Sequence, residues 1–387
     1  MADAILRANP GYELVLLDRL SEADRDGLGE ALERERELYG VLRPRPGADL
    51  QPRTVSTDTA LLFLTLTQAA SLPSYVRTRL GPSTERAIAR LVLDGVLEIE
   101  HNGELLSGAR AGDALLAGSS SGGQGRIGEL SLAALRYGQE LAALGVAQMQ
   151  LAARLYGYGR RPITAALRER LPSVTDIEEH LGIDAQGGSR ALLDADWIEV
   201  APEPRATQRY WRTWHARWAP GGGGRWDGGY KLYVSPSLSA LGDALASVSG
   251  SLAGAHGVRA FKVAERLDGL CRPDKLVVYF DRLEDLQAGA FRLRDELAGT
   301  PAHGVPFTAA ITSDGLLSWG ADPPLLDGAR ASWRQWVTER LAEYLEATSG
   351  SGIESWQFAL RRLRLAGIDP DSWVPTNGMW EEALASA

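Results

Sequence analysis

Four consecutive glycines, residues 221–224, divide this chain of 387 residues into two parts of different texture. A glycine run has no side chains to pack and maximal backbone freedom, so neither a helix nor a strand is expected to cross it. The stretch RWAPGGGGRWDGG, residues 217–229, therefore reads as a mobile loop or a domain junction. Before it, alanine- and leucine-rich segments favour helix. After it, GYKLYVSPS, RAFKVAE and DKLVVYFD are strand-like and alternate with helical stretches. The length exceeds what one small core supports. The expected fold class is α+β, with a helical N-terminal half carrying winged-helix-like units and a C-terminal α+β domain. The expected divisions are an N-terminal segment at 1–53, a helical, winged-helix-like domain at 54–216 and the α+β domain at 224–387.

Within the first half, YELVLL reads as a short strand or helix. A polar helix, SEADRDGLGEALERERELYG, follows with Ser21 as N-cap and Gly40 as its stop, and Arg43 to Pro52 is a proline-rich connector. In the segment 54–118, a helix ends near Gly95 and the strand VLEIE turns at His101-Asn102-Gly103, a good hairpin signal. A related pattern recurs: LVLDGVLEI at 91–99 and LLDADWIEV at 192–200 each carry an apolar helix end and an acidic turn into a strand. Between them, GSSSGGQG predicts a flexible loop, and 130–159 predicts a long helical stretch. In the second half, FTAAITSDGLLSWG reads as a hairpin turning at Asp314-Gly315. Residues 327–348 read as an amphipathic helix, and 351–387 as a tryptophan-bearing helical tail.

Composition excludes several classes. The net charge of −9 argues against a nucleic-acid binder that acts through overall charge. A single cysteine, Cys271, allows neither a disulfide framework nor a cysteine-based zinc site within one chain. No apolar run of about 18 residues is present, so no membrane span is expected. The N-terminal residues lack a basic stretch followed by an apolar core, which makes the cytoplasm the expected location. No metal and no cofactor is expected. The glycine run is not a phosphate-binding loop, because no lysine followed by serine or threonine comes after it.

The basic residues are unevenly chosen. Of 41, only Lys231, Lys262 and Lys275 are lysine, and the other 38 are arginine. All three fall within 45 residues, which random placement would give with a probability of roughly 4%. Arginine does not lose its proton in a protein, whereas a partly buried lysine can, so retained lysines mark places for a titratable amine. On a strand, Lys231, Tyr233 and Ser235 share one face and Tyr230, Leu232 and Val234 the other. An amine, a phenol and a hydroxyl in one row suit an anion, and a half-exposed strand with a snorkelling lysine is the plainer reading. Lys262 lies inside a short strand, where burial lowers an ammonium's pKa and makes the amine available as a base. Arg272 and Lys275 stand at the entry to an apolar strand, placed to clamp a phosphate. RYWRTWHARW, residues 209–218, reads as the lining of a groove or as a wing strand whose arginines stack on tryptophans.

The order GYKLYVSPS, about 20 helical residues, then FKV resembles the lyase domain of class III and class IV lanthipeptide synthetases, which are related in mechanism to bacterial effector phosphothreonine lyases. The resemblance covers about 50 residues clearly and leaves residues 1–215 untouched. It implies elimination of phosphate from phosphoserine or phosphothreonine, leaving dehydroalanine or dehydrobutyrine. By the resemblance, Lys262 takes the base's place, Lys231 that of the phosphate-contacting lysine, and Arg272 lies where a phosphate-binding arginine is expected. The family's histidine acid falls at Tyr233, and His215 and His303 are alternative proton donors. A tyrosine of pKa near 10 can donate a proton when nearby cations lower that value.

No His-Arg-Asp or Asp-Phe-Gly kinase motif is present, so a phosphorylated precursor peptide and a separate kinase subunit are the implied partners, with no membrane and no nucleic acid. Three readings follow. The first is a phosphoserine/phosphothreonine lyase. The second is a non-catalytic subunit that binds substrate or kinase. The third is a winged-helix regulator.

Overall fold

The structure, a computed structural model, describes residues 4–22, 25, 38–48, 50–81, 84–115, 122–184, 187–200, 210–218, 229–323, 331–348 and 354–376. Helix and sheet are mixed throughout, an α+β fold. The chain divides into two compact units, residues 1–119 with 350–354, and residues 120–349 with 355–387. The division does not fall at the expected 216–224, because strands on both sides of the glycine run pair in one sheet. The glycines themselves, within 219–228, lie outside the described residues, as do 118–121 of GSSSGGQG.

The first unit carries β1 (Ile5–Ala8), β2 (Tyr12–Leu16), β3 (Leu38–Pro44), β4 (Arg53–Ser56), β5 (Ala70–Ser71), β6 (Leu97–His101) and β7 (Glu104–Leu106). They form two antiparallel sheets, β2-β3-β4 and β5-β1-β6-β7. Helices at Thr57–Thr65, Ser74–Leu80 and Thr84–Leu93 precede the β6–β7 hairpin, the last of them stopping just before Gly95, and β1 lies between β5 and β6. The hairpin turns through Asn102 and Gly103, both at positive φ, as the Asn-Gly pair requires. The polar helix expected to run to Gly40 is corrected at its end. There β3 pairs with β2, burying Val41 and Leu42, while most of 23–37 lies outside the described residues.

The second unit is built on β8 (Trp197–Glu199), β9 (Trp211–Ala216), β10 (Tyr230–Val234), β11 (Val258–Ala264), β12 (Leu276–Phe280), β13 (Ala309–Ala310) and β14 (Leu317–Ala321). They form one antiparallel sheet in the order β13-β14-β10-β12-β11-β9-β8. A small hairpin of β15 (Ile368–Asp369) and β16 (Val374–Pro375) follows near the end. The predicted turn at Asp314-Gly315 joins β13 to β14, with Gly315 at φ +80°.

Strand alternation gives this sheet two unlike faces. One face carries Leu232, Val234, Phe261, Val263, Val278, Phe280 and Trp214. It packs on helices Val174–Leu181, Gly188–Asp196, Leu241–Ser251 and Leu283–Glu296 in a single core. Trp214 stacks on Phe261 at 5.1 Å, and Trp197 meets the same ring edge-on at 4.6 Å. Helix Val174–Leu181 starts on a Ser173–Asp176 capping box and stops at left-handed Gly182, both readable in its sequence.

The other face carries Lys231, Tyr233, Tyr279, Lys262 and Trp211. The predicted long helix at 130–159 is two helices, Gly125–Ala143 and Gln148–Tyr156, broken where Gly145 takes positive φ. The second ends on Tyr156, which reaches this face. The amphipathic helix expected at 327–348 is described over Trp333–Glu346, capped by Ser332. It descends close to β14 because Gly320 has no side chain: a Cβ there would overlap the indole of Trp333. That approach lets the Trp333 amide donate to Asp322 at 2.8 Å and sets Arg334 beside the sheet.

Candidate active site

Cross-strand register assembles the site. Lys231 pairs with Tyr279 of β12 and Gly320 of β14, while Lys262 pairs with Val277 of β12 and Thr213 of β9. Lys231 and Lys262 thus stand on one face of the sheet with a single strand between them. The Lys231 ammonium pairs with Asp322 at 2.5 Å and sits 5.6 Å from the Tyr279 ring centre. The Lys262 ammonium lies over two rings, 4.4 Å from Trp211 and 5.6 Å from Tyr279. Among the described residues it has no carboxylate partner and no hydrogen-bond acceptor. Burial, and then the like charge of Lys231, lower its pKa to about 8. Its side chain is half-buried rather than sealed.

A second layer of charge surrounds Asp274. Arg272 grips its carboxylate with two hydrogen bonds of 2.7 Å, and Arg334 donates a third at 2.8 Å. Burial alone would raise the Asp274 pKa. The Arg334 and Arg272 guanidiniums more than offset it and hold the carboxyl well below its ordinary range. Tyr156 closes this layer: its hydroxyl accepts from Arg272 at 2.9 Å, and its carbonyl accepts from Arg334 at 2.7 Å. The Arg272 guanidinium also lies over the rings of Tyr156, Tyr210 and Trp211, at 5.2, 5.8 and 5.4 Å. Lys231, Lys262, Arg272 and Arg334 against Asp274 and Asp322 leave a net charge of +2 when Lys262 is protonated (four cations less two anions).

The structure brings together three of the five residues singled out in sequence: Lys231, Lys262 and Arg272. Tyr233 shares their face but is buried against Val277 and Val305. Burial, and next the charge of Asp322, raise its pKa well above the ordinary phenol value. The expectation that nearby cations would lower it is therefore corrected, and its hydroxyl stays protonated. Lys275 is displaced from the cluster. It is 1% exposed, donates to the Pro236 carbonyl at 2.8 Å and contacts His303 Nδ1 at 3.1 Å. A phosphate has no access to it, which corrects its expected role as a clamp. His303 is the other half of that closed pair. Its Nε2 faces the Gly159 carbonyl at 2.6 Å and so carries the ring proton, leaving Nδ1 to accept from Lys275. Burial, and then Lys275, lower the His303 pKa to about 4, so it is no proton donor for the cluster at neutral pH. His215 pairs with Ala260 and shares the face of Lys262, half-buried, with its pKa lowered by burial.

Sequence reasoning missed Tyr156, Asp274, Arg334 and Asp322. Asp274 was within reach of it, standing two residues after Arg272 in CRPDK. Asp322 ends the LLSWGADPP strand, whereas Tyr156 and Arg334 are distant in sequence and carry no local signal.

No family model matches the sequence, and no curated protein does. Among solved structures, the chain is similar to an effector protein from Pseudomonas syringae pv. syringae strain 61, at 14% identity and a TM-score of 0.39, over 64% of this chain and 98% of that one. It is similar to an effector from Pseudomonas syringae pv. tomato strain DC3000, at 13% identity and a TM-score of 0.38, over 64% and 97%. A phosphothreonine lyase structure aligns at 11% identity and a TM-score of 0.27, over 39% of this chain and 83% of that one. Likeness this slight carries no argument about activity.

Proposed function

We propose that this cluster eliminates phosphate from phosphoserine or phosphothreonine in a peptide. The observation that supports the reading best is Lys262: a half-buried side chain whose amine has a pKa of about 8, two aromatic walls and no anionic partner among the described residues, set beside Lys231. An amine of that pKa is neutral in about a tenth of molecules near pH 7 and reprotonates readily, which suits a general base. Lys262 takes the Cα proton and becomes an ammonium. The Cα–H electrons form the Cα–Cβ double bond, and the Cβ–O bond breaks with its electrons on phosphate. Lys231 and Arg272 face the phosphate; the cluster carries +1 while Lys262 is a neutral base and +2 once it has taken the proton, so its positive charge grows as the phosphate leaves. Tyr233, buried against Val305, is left out of the reaction, and the charge of Lys231 and Arg272 takes the place of an acid at the departing oxygen. The phosphate comes from a separate kinase, and the peptide is a ribosomal precursor of the lanthipeptide kind, as the motif resemblance implies.

Incubation with a phosphothreonine peptide and the kinase partner, followed by mass spectrometry, tests this. Loss of phosphoric acid supports it, and an unchanged peptide mass overturns it. A second reading, phosphopeptide binding without chemistry, draws on Asp274, which already occupies Arg272. Under that reading, tight binding of the phosphopeptide would persist with no mass loss.

A further inference from the structure

The sheet face that carries Lys262 is closed on one side and open on the other. One row of paired residues crosses it from β10 to the end of β8: Tyr233, Val277, Lys262, Thr213 and Val200, the last donating its amide to the Thr213 carbonyl at 2.9 Å. The neighbouring row ends in His215 and Ile198. On the β10 side the first row is sealed, with Tyr233 3% and Val277 2% exposed. Lys262, Thr213 and His215 are half-buried. On the β8 side Val200 is 41% and Ile198 44% exposed. Lys262 therefore stands where cover gives way to open sheet, and a substrate that reaches its amine comes in over β9 and β8.

That open part has two zones. Next to Lys262, the Thr213 hydroxyl and the His215 imidazole have no hydrogen-bond partner among the described residues. Each offers a donor and an acceptor, which is what a peptide backbone needs. Farther out, Ile198 and Val200 present two aliphatic side chains on one face. Glu199, between them, turns to the opposite face and pairs with Arg212 at 3.0 Å. Burial holds His215 below its ordinary pKa, so none of the four residues is charged at neutral pH.

We infer that this shelf holds the substrate peptide beside its phosphorylated residue and selects an apolar side chain, leucine or valine, about three residues away. Lys262 and Val200 lie two strand spacings apart, about 10 Å. A peptide in polyproline II conformation points residues i and i+3 the same way about 9 Å apart, which matches that span. Its backbone crosses β9 on Thr213 and His215, and the apolar side chain settles on Ile198 and Val200. A charged residue at that place leaves water for two aliphatic groups and gains no partner on the shelf.

This inference rests on the elimination reading, and one experiment separates the two. Two short synthetic phosphothreonine peptides, identical except for leucine or aspartate three residues from the phosphothreonine on either side, are given to the full chain. Elimination is followed by mass loss, and binding by fluorescence anisotropy. The leucine peptide is expected to be favoured by about tenfold in affinity and in kcat/KM, as partial burial of one leucine gives. The positive cluster alone would favour the aspartate peptide, so the sign of the preference is decisive. Ile198→Ser and Val200→Ser, both at exposed positions, should each reduce it to about threefold. Elimination with no leucine preference, or with one that both substitutions leave untouched, overturns the shelf and leaves the reaction standing. A leucine preference in binding without elimination supports the shelf and overturns the reaction. Neither elimination nor preference overturns both. The peptide comparison is made on the unaltered chain, so it can overturn the shelf even if a variant does not fold.

Discussion

Two lysines of the same unit, Lys262 and Lys275, both have amines pushed toward neutrality, to about 8 and about 7. Burial is the largest cause in each. The more perturbed of the two is the one that the proposed reaction does not use. Lys275 is closed in by a carbonyl and by His303, and it ties the end of β10 to the loop after Tyr156. Lys262 has rings for walls and a side chain that is only half-buried. A shifted pKa therefore reports burial first. Function is distinguished by access and by the absence of a satisfying partner.

The largest test of that contrast is substitution. Lys262→Ala is expected to lower elimination about 1000-fold, within the range general bases supply. Lys275→Met, which keeps the volume, is expected to stay within about tenfold of the unaltered chain. Phosphate release measures both, and equal losses would break the distinction. Next in size is the pH profile. The base is the neutral amine, so kcat/KM should rise with pH through about 8. Lys231→Gln removes the neighbouring positive charge that helps depress Lys262, and the rise should move to higher pH.

Stability distinguishes Lys275 in a third way. Its folded pKa of about 7 lies below the ordinary value of 10.5, so the unfolded chain holds the extra proton between the two. The unfolding free energy should therefore increase with pH across that window, and Lys275→Met should flatten the slope seen in urea titrations. The smallest effect concerns the aromatic wall. Trp211→Leu keeps the burial and removes a cation–π contact worth about 0.5 to 2 kcal/mol to the ammonium. The rise in kcat/KM should then move to lower pH by roughly one unit.

What the sequence discloses here follows from distance along the chain. Strand phase alone places Lys231 beside Tyr233, and the register then brings Lys262 onto the same face. The Asn-Gly and Asp-Gly turns fall where they are read. Phase does not distinguish a residue that faces a cleft from one covered by a later segment. Tyr233 and Lys275 are misjudged for that reason, since Val305 and His303 cover them from a loop about thirty or more residues away. The glycine run misleads for a related cause. A break in composition marks where chain is unstructured in prospect, whereas a sheet joins strands from both sides of it. β9, read as part of an N-terminal domain, pairs with β11 at Thr213 and Lys262.

The hydrogen bond from Arg334 to the Tyr156 carbonyl spans 178 residues of chain. During synthesis this has an order in time. When the strands bearing Lys231 and Lys262 and the turn bearing Arg272 have left the ribosome, Arg334 has not yet followed. Asp274 then has one guanidinium instead of two, and a carboxylate cannot be buried cheaply on those terms. The nascent chain thus carries Lys262 before the ionic layer around Asp274 is complete. The cluster is finished late, with the helix that begins at Trp333.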